Sequence, residues 1–155
     1  MLYNGTFETI EFRKMGIEYL RGILHTFSSL NQPESNLIYD YDIVELKKGN
    51  GDLINLIQTN LQSFAKYPIM LQLIDSETFK KALTSWLFEK KLMSEHKINN
   101  YIDFFYNLLI DVTTCKSIYV INHSEFDIYD FGVFFEHFIL ESSDSLYLVA
   151  FSYTD

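Results

Sequence analysis

Hydrophobic and polar positions change their spacing several times along the chain, and each change predicts a different element. Residues 1–12 alternate imperfectly between apolar and polar positions, a pattern that favours a strand. From residue 13 to about residue 28 the apolar positions recur every three or four residues, which predicts a helix with one apolar face. Pro33 cannot continue a helix, so this helix is expected to end in the polar segment before it.

The middle of the chain predicts a strand, a helix and a second, shorter strand. Residues 37–46 alternate aromatic or aliphatic positions with acidic ones, as a half-buried strand does. The Lys-Lys-Gly-Asn-Gly sequence at 47–51 predicts a turn, and Asp52 then stands where the N-cap of a helix belongs. That helix is expected to end before Pro68. Residues 69–74 form a short apolar run that fits a buried strand or one more helical turn, and a strand is favoured.

Two consecutive helices are predicted next. Asp75 and Ser76 offer a cap for a helix whose apolar positions continue at helical spacing as far as Met93. Ser94 caps the following helix, which extends to about Val112. Because the connection between them is short, we expect these helices to pack antiparallel.

The last quarter of the chain predicts a strand, a loop, a helix and a final strand. Residues 117–121 are apolar at nearly every position, as in a strand covered on both faces, and a polar, acidic loop follows at 122–129. Residues 130–139 predict an amphipathic helix, with Asp130 as its N-cap and apolar residues at intervals of three, four, seven and eight. After a polar turn, residues 146–153 alternate between two apolar faces, which predicts a central strand.

Together these elements predict an α+β fold. A single globular domain spanning residues 1–155 is expected, with a mixed β-sheet of about four to five strands packed by four to five helices. The consecutive helix pair breaks a strict alternation of strand and helix, which argues against an α/β arrangement.

Negative charge is concentrated in one part of the sequence. The formal net charge is −9, and residues 117–155 contribute −7 of it because they contain no Lys or Arg. Clustered negative charge repels nucleic acid and attracts basic protein surfaces, so direct nucleic-acid binding is not expected. One cysteine, no signal-peptide pattern and no apolar run long enough to span a membrane predict a soluble protein in a reducing, cytoplasmic setting.

No motif for catalysis, a cofactor or a metal is present. The four histidines lack ligand spacing, and adjacent Glu136 and His137 would point about 100° apart on a helix. Cys115 has no redox or nucleophile context, and neither a G-x-S-x-G elbow nor a phosphate-binding loop occurs. Paired carboxylates among Glu125, Asp127 and Asp130 also fit ordinary turns and caps.

Tyrosine interspersed with acidic residues is the remaining pattern that suggests a function. Aromatic side chains bury area at low entropic cost, while acidic groups accelerate the encounter with a basic protein. The alternative is that the tyrosines are semi-buried sheet residues and the acids solvate the sheet. The predicted partner-binding residues are Asp40, Asp42, Glu125, Asp127, Tyr129, Asp130, Glu136, Asp144 and Tyr153.

In size, composition and acidic C-terminal part, around residues 130–137 and 147–155, the chain resembles the small immunity proteins that bacteria encode beside polymorphic or contact-dependent toxins. The resemblance implies an inhibitor without catalytic activity that binds a basic toxin, often a nuclease. Two alternatives remain open: a phage or mobile-element protein that inhibits or regulates a host factor, and a small enzyme whose site is not recognisable from the sequence, with His123, Glu125 and Asp127 as candidate residues. The oligomeric state is not predicted.

Overall fold

The backbone of residues 5–154 and the side chains of residues 14–154 are described by a computed structural model. In these residues the chain forms six helices and five strands, in an order that begins with helix. The elements are α1 Gly5–Asn31, β1 Ile38–Lys47, α2 Leu53–Asn60, α3 Gln62–Ala65, β2 Ile69–Ile74, α4 Ser76–Leu87, α5 Glu95–Thr113, β3 Ser117–His123, α6 Ile128–Phe131, β4 Phe134–Glu141 and β5 Ser145–Thr154.

The five strands form one sheet in the order β1-β5-β4-β3-β2, and every neighbouring pair is antiparallel. The α+β prediction is confirmed, whereas the sheet is antiparallel rather than mixed. The helix pair explains this difference, because α4 leads away from the end of β2 and α5 returns the chain to the same end before β3 begins. The antiparallel packing predicted for the two helices agrees with this path.

The larger core lies between one face of the sheet and helices α1, α4 and α5. Its largest fully buried side chains are aromatic: Trp86, Tyr41, Tyr147, Phe79, Phe138 and Phe151. Asp75 caps α4 by accepting from the Thr78 N–H, and Ser94 caps α5 by accepting from the Lys97 N–H. Both caps agree with the sequence prediction, as does the Asp52 cap of α2.

A smaller core covers the opposite face under the short helices α2, α3 and α6. Its buried residues are Leu46, Ile57, Phe64, Ile69, Ile121, Phe131, Ile139, Leu146 and Leu148. Strand β5 lies between β1 and β4 and supplies both cores, with Tyr147, Val149 and Phe151 on the larger side. The predictions of a central strand at residues 146–153 and of a strand at residues 69–74 are confirmed, and β2 lies at an edge.

The strand predicted at residues 1–12 is wrong for residues 5–12, which belong to α1. Residues 1–4 lie outside the described part of the chain. The alternation there was imperfect, and the polar positions include two Glu residues, which are good helix formers, so the helical period beginning at residue 13 extends towards the N-terminus.

The amphipathic helix predicted at residues 130–139 is also wrong. Helix α6 ends at Phe131, and the chain continues as strand β4 from Phe134. A strand buried on both faces carries apolar residues at consecutive positions, so paired phenylalanines satisfy a strand as well as a helix. Gly132 separates the two elements with φ 104°, a conformation that favours glycine. Asp127, not Asp130, is the N-cap of α6.

Candidate interaction site

One end of the sheet gathers most of the exposed apolar side chains of the C-terminal part. We call it the apical end: β3 and β5 finish there, and β1, β2 and β4 begin there. The connection between β3 and β4, residues 124–133, is the apical segment. The exposed large apolar residues at this end include Ile38, Met70, Phe126, Ile128, Tyr129, Val133 and Phe134.

The apical segment is attached to the sheet at several points. The Asp127 carboxylate accepts from the Tyr129 N–H at 3.0 Å, which begins α6. Phe131 is buried in the smaller core, and the Val133 N–H donates to the Tyr153 carbonyl at 2.7 Å. A Cβ on Gly132 would overlap that same carbonyl oxygen. The exposed side chains of this segment therefore project from a backbone with defined anchors.

An aromatic cluster lies beside the apical segment on the larger-core face. Trp86 stacks against Phe134, at a centroid distance of 5.5 Å, and against Phe151, at 5.2 Å. The indole N–H of Trp86 donates to Glu136 Oε1 at 2.7 Å. Tyr153 packs edge-on against Trp86, with 4.9 Å between their ring centroids. The buried indole thus supports two side chains that reach the surface.

Two histidines meet on the smaller-core face of the apical end. His123 Nε2 and His137 Nδ1 are 3.3 Å apart, and Phe64, Phe131 and Phe135 surround the pair. Burial lowers the pKa of His137 to about 3, with a further contribution from His123. Burial also lowers the pKa of His123, whose buried Nδ1 has no hydrogen-bond partner among the described residues. Both rings are therefore held in their neutral form.

The predicted binding residues do not form one face. Glu125, Asp127 and Tyr129 lie exposed on the apical segment, and Tyr129 is 92% exposed. Asp40 is exposed on β1 near the apical end, where Tyr153 is half-buried.

Three predicted acids bind side chains that are distant in the sequence. Asp42 accepts from Arg21 Nε at 3.0 Å, and its carboxylate is 3.4 Å from His25. Asp130 pairs with Lys66 at 3.0 Å, while Glu136 accepts the indole hydrogen bond described above.

Asp144 lies at the opposite end of the sheet. We call this the basal end: it holds the β4–β5 turn, the end of β1 and the start of β3. Asp144 accepts from the Ser142 hydroxyl at 3.1 Å. Lys48 pairs with Glu141 at 3.3 Å and donates to the Ser142 carbonyl at 2.8 Å. The sheet therefore divides the acidic C-terminal sequence between its two ends.

The tyrosines also divide between core and surface. Tyr41 and Tyr147 are fully buried, so they pack in the core of the sheet and are not available to contact a partner. Of the residues considered for a catalytic site, His123 packs against the rings of Phe131 and Phe135. Glu125 and Asp127 are exposed.

Chemistry elsewhere in the described residues is sparse. No group of three or more His, Cys, Asp or Glu side chains suited to a metal ion occurs among residues 14–154. Cys115 is half-buried, donates to the Ser117 carbonyl at 3.3 Å, and has its pKa raised by burial to about 11. None of the helices within residues 5–154 combines the length and the apolar character that crossing a bilayer requires.

Sequence reasoning missed the histidine pair and the apolar part of the apical surface. The histidines are 14 residues apart, and only the tertiary arrangement brings them together. The helix predicted at residues 130–139 would place Phe134 on its apolar face, but this side chain is 56% exposed on β4. If residues 134–141 are taken as a strand, Phe134 and Glu136 lie on the same face. This spacing is the sequence pattern that could have indicated an aromatic ring beside a carboxylate.

Comparison with protein-family models, with curated proteins and with solved structures finds no match to this chain.

Proposed function

We propose that this protein is a non-catalytic inhibitor that binds a basic protein partner through its apical end. The observation that carries the proposal is the combination, at one end of the sheet, of exposed aromatic and aliphatic side chains with exposed carboxylates. Phe126, Ile128 and Tyr129 project from a segment that also carries Glu125 and Asp127.

Each part of this surface has a physical role in binding. Exposed aromatic side chains with few rotatable bonds bury a large area at low entropic cost, so they supply binding energy. Exposed carboxylates around them contribute little net affinity, but they accelerate encounter with a cationic surface. Lys66 is the one basic side chain among the described residues that pairs with an acid of the apical segment.

The resemblance to immunity proteins favours a particular kind of partner. An immunity protein neutralises a cognate toxin, and a nuclease toxin carries a basic surface because its substrate is an anion. A rigid acidic surface that covers such a site needs no catalytic group of its own. We therefore propose a basic toxin, with a nuclease as the favoured class, as the partner.

The direct test is a titration against a candidate toxin. The product of a toxin-like reading frame beside this gene, in catalytically inactivated form, is titrated with the protein in a calorimeter. We expect saturable binding that weakens with added salt, together with inhibition of the active toxin. Absence of binding to that product would remove the proposal.

Matched charge reversals locate the surface. Glu125→Lys changes an exposed acid of the apical segment, and Asp111→Lys makes the same change on the exposed side of α5. We expect Glu125→Lys to slow association about tenfold at low salt, and Asp111→Lys to leave it nearly unchanged. Equal effects of the two variants would refute the placement at the apical end.

A further inference from the structure

Three rings at the apical end form a platform that is open on one side. The aromatic platform consists of Tyr39, Phe134 and Tyr153. Tyr39 and Tyr153 stack with their ring centroids 4.0 Å apart and their planes at 19°, and the centroids of Phe134 and Tyr153 are 5.9 Å apart. Phe134 is more than half exposed and both tyrosines are half-buried, so the rings present a surface to solvent.

Two carboxylates accompany these rings. Glu136 lies on β4 next to Phe134, and Glu89 lies in the α4–α5 connection close to the tyrosine hydroxyls. Burial, followed by the charge of Glu89, raises the pKa of both Tyr39 and Tyr153. Among residues 14–154, no basic side chain lies within ion-pair distance of Glu89 or Glu136. Both carboxylates beside the platform are therefore outside the ion pairs of the described residues.

We propose that the aromatic platform, with Glu89 and Glu136, is the site that receives an arginine side chain of the protein partner. This inference rests on the proposed function, because it names the chemistry by which the apical end would bind a basic surface. A guanidinium group is planar, stacks on aromatic faces and donates several hydrogen bonds in its own plane. Stacking on the rings and donation to the flanking carboxylates can therefore occur together. A lysine ammonium, being compact and strongly hydrated, uses the ring faces less well.

The site is organised before any ligand arrives. Trp86 is buried, lies under Phe134 and holds Glu136 through its indole N–H. The tyrosine stack joins β1 to β5, which are paired along their whole length. Groups that are already fixed lose little conformational entropy when a ligand binds.

Trp86 also provides the measurement, because it is the only tryptophan in the chain. The full chain, labelled with 15N, is titrated with N-acetyl-arginine amide while the indole N–H resonance is followed. N-acetyl-citrulline amide, which has nearly the same shape but no charge, serves as the ligand control. We expect a saturable shift with the arginine compound and a much smaller one with the citrulline compound.

Two matched variants assign the effect to the site. Glu89→Gln removes one flanking charge, and Glu95→Gln removes an exposed charge at the start of α5. We expect arginine binding about three- to fivefold weaker in Glu89→Gln and unchanged in Glu95→Gln. Equal shifts with the two compounds, or equal losses in the two variants, would overturn the assignment.

The outcome also separates this inference from the proposed function. If the toxin binds but arginine does not perturb Trp86, the arginine site is wrong and the docking proposal stands. If arginine binds at the platform but no toxin binds, the site stands as a cation site and the docking proposal fails.

Discussion

The two ends of the sheet use similar residue types in opposite ways. At the basal end, polar groups satisfy one another: the Ser145 hydroxyl donates to Glu45 at 2.9 Å, and Lys48 offsets Glu141 at 3.3 Å. At the apical end, rings are exposed, Glu89 has no cationic partner among the described residues, and burial keeps His137 uncharged.

This difference teaches that acidic composition alone does not mark a binding surface. Glu141 and Asp144 belong to the same acidic stretch as Glu125 and Asp127, yet they stabilise a turn. What distinguishes the apical end is exposed apolar area beside unpaired charge. Substitutions there should affect recognition as well as stability, whereas basal substitutions should affect stability alone.

The largest effect is expected from removing the support of the aromatic platform. Trp86 is fully buried and stacks against both Phe134 and Phe151. Trp86→Ala should lower the free energy of unfolding by about 3–5 kcal/mol, because a large cavity replaces the indole. Urea denaturation measures the change.

Trp86→Phe is the matched control for that prediction. It keeps a ring in the stack but removes the N–H that donates to Glu136, so it should cost about 1–2 kcal/mol. If Trp86→Ala cost no more than Trp86→Phe, the indole would not be the support that its packing indicates.

A glycine at each end offers the next comparison. Gly132 has φ 104°, and a Cβ there would overlap the Tyr153 carbonyl, whereas Gly51 has φ 137° with no atom within 4 Å of a Cβ. Gly132→Ala should cost about 2–4 kcal/mol, since a steric overlap is added to backbone strain. Gly51→Ala should cost about 1 kcal/mol from strain alone. Thermal and urea unfolding compare the two variants, and equal losses would contradict the close approach of Gly132 to β5.

The sequence predicted some elements of the fold correctly and failed at others. Local signals were sufficient where one residue decides a helix start, as at Asp52, Asp75 and Ser94. They failed at residues 130–139, because apolar spacing of three and four fits both an amphipathic helix and a strand buried on two faces. Only the surroundings decide: β4 is paired with β3 and β5, so strand geometry satisfies its backbone.

The candidate site was harder to predict, because it depends on residues distant in sequence. Tyr39 meets Tyr153 through the pairing of β1 with β5, and Glu89 reaches them from the α4–α5 connection. Glu125 and Tyr129 were identified from composition, since acids and tyrosines in a polar loop are expected at the surface. The internal partners of Asp42 and Asp130 come from α1 and from the residue after α3, which no local pattern reveals.

Acid should weaken the apical end through its histidine pair. The pKa of His137 is about 3 in the folded protein and near the ordinary histidine value of 6.5 when unfolded, so below about pH 6.5 the unfolded chain binds a proton that the folded chain does not. The contribution of His137 to the free energy of unfolding should therefore be fully present above pH 6.5. It should fall by about 2 kcal/mol by pH 5. Urea denaturation between pH 7.5 and pH 5 measures the slope, within a range where most carboxylates stay ionised.

His137→Phe provides the control, because the phenylalanine ring occupies the same space between Phe64, Phe131 and Phe135 but does not titrate. The variant should show a shallower dependence of the unfolding free energy on pH over this range. His123 also has a lowered pKa, so some dependence should remain. An unchanged slope would mean that His137 is not the source of the acid sensitivity.

The smallest effects should come from removing one lysine at each end. Lys66→Ala exposes the Asp130 carboxylate and makes the apical end more negative, so association with the basic partner should become faster at low salt. Lys48→Ala breaks the Glu141 pair and leaves the Ser142 carbonyl without its donor, at a cost of about 1 kcal/mol in stability. Its association rate should not change if the partner docks at the apical end, as proposed. Stopped-flow association and urea denaturation on both variants separate the two responses. If Lys48→Ala accelerated association as much as Lys66→Ala, net charge rather than the apical surface would govern the encounter.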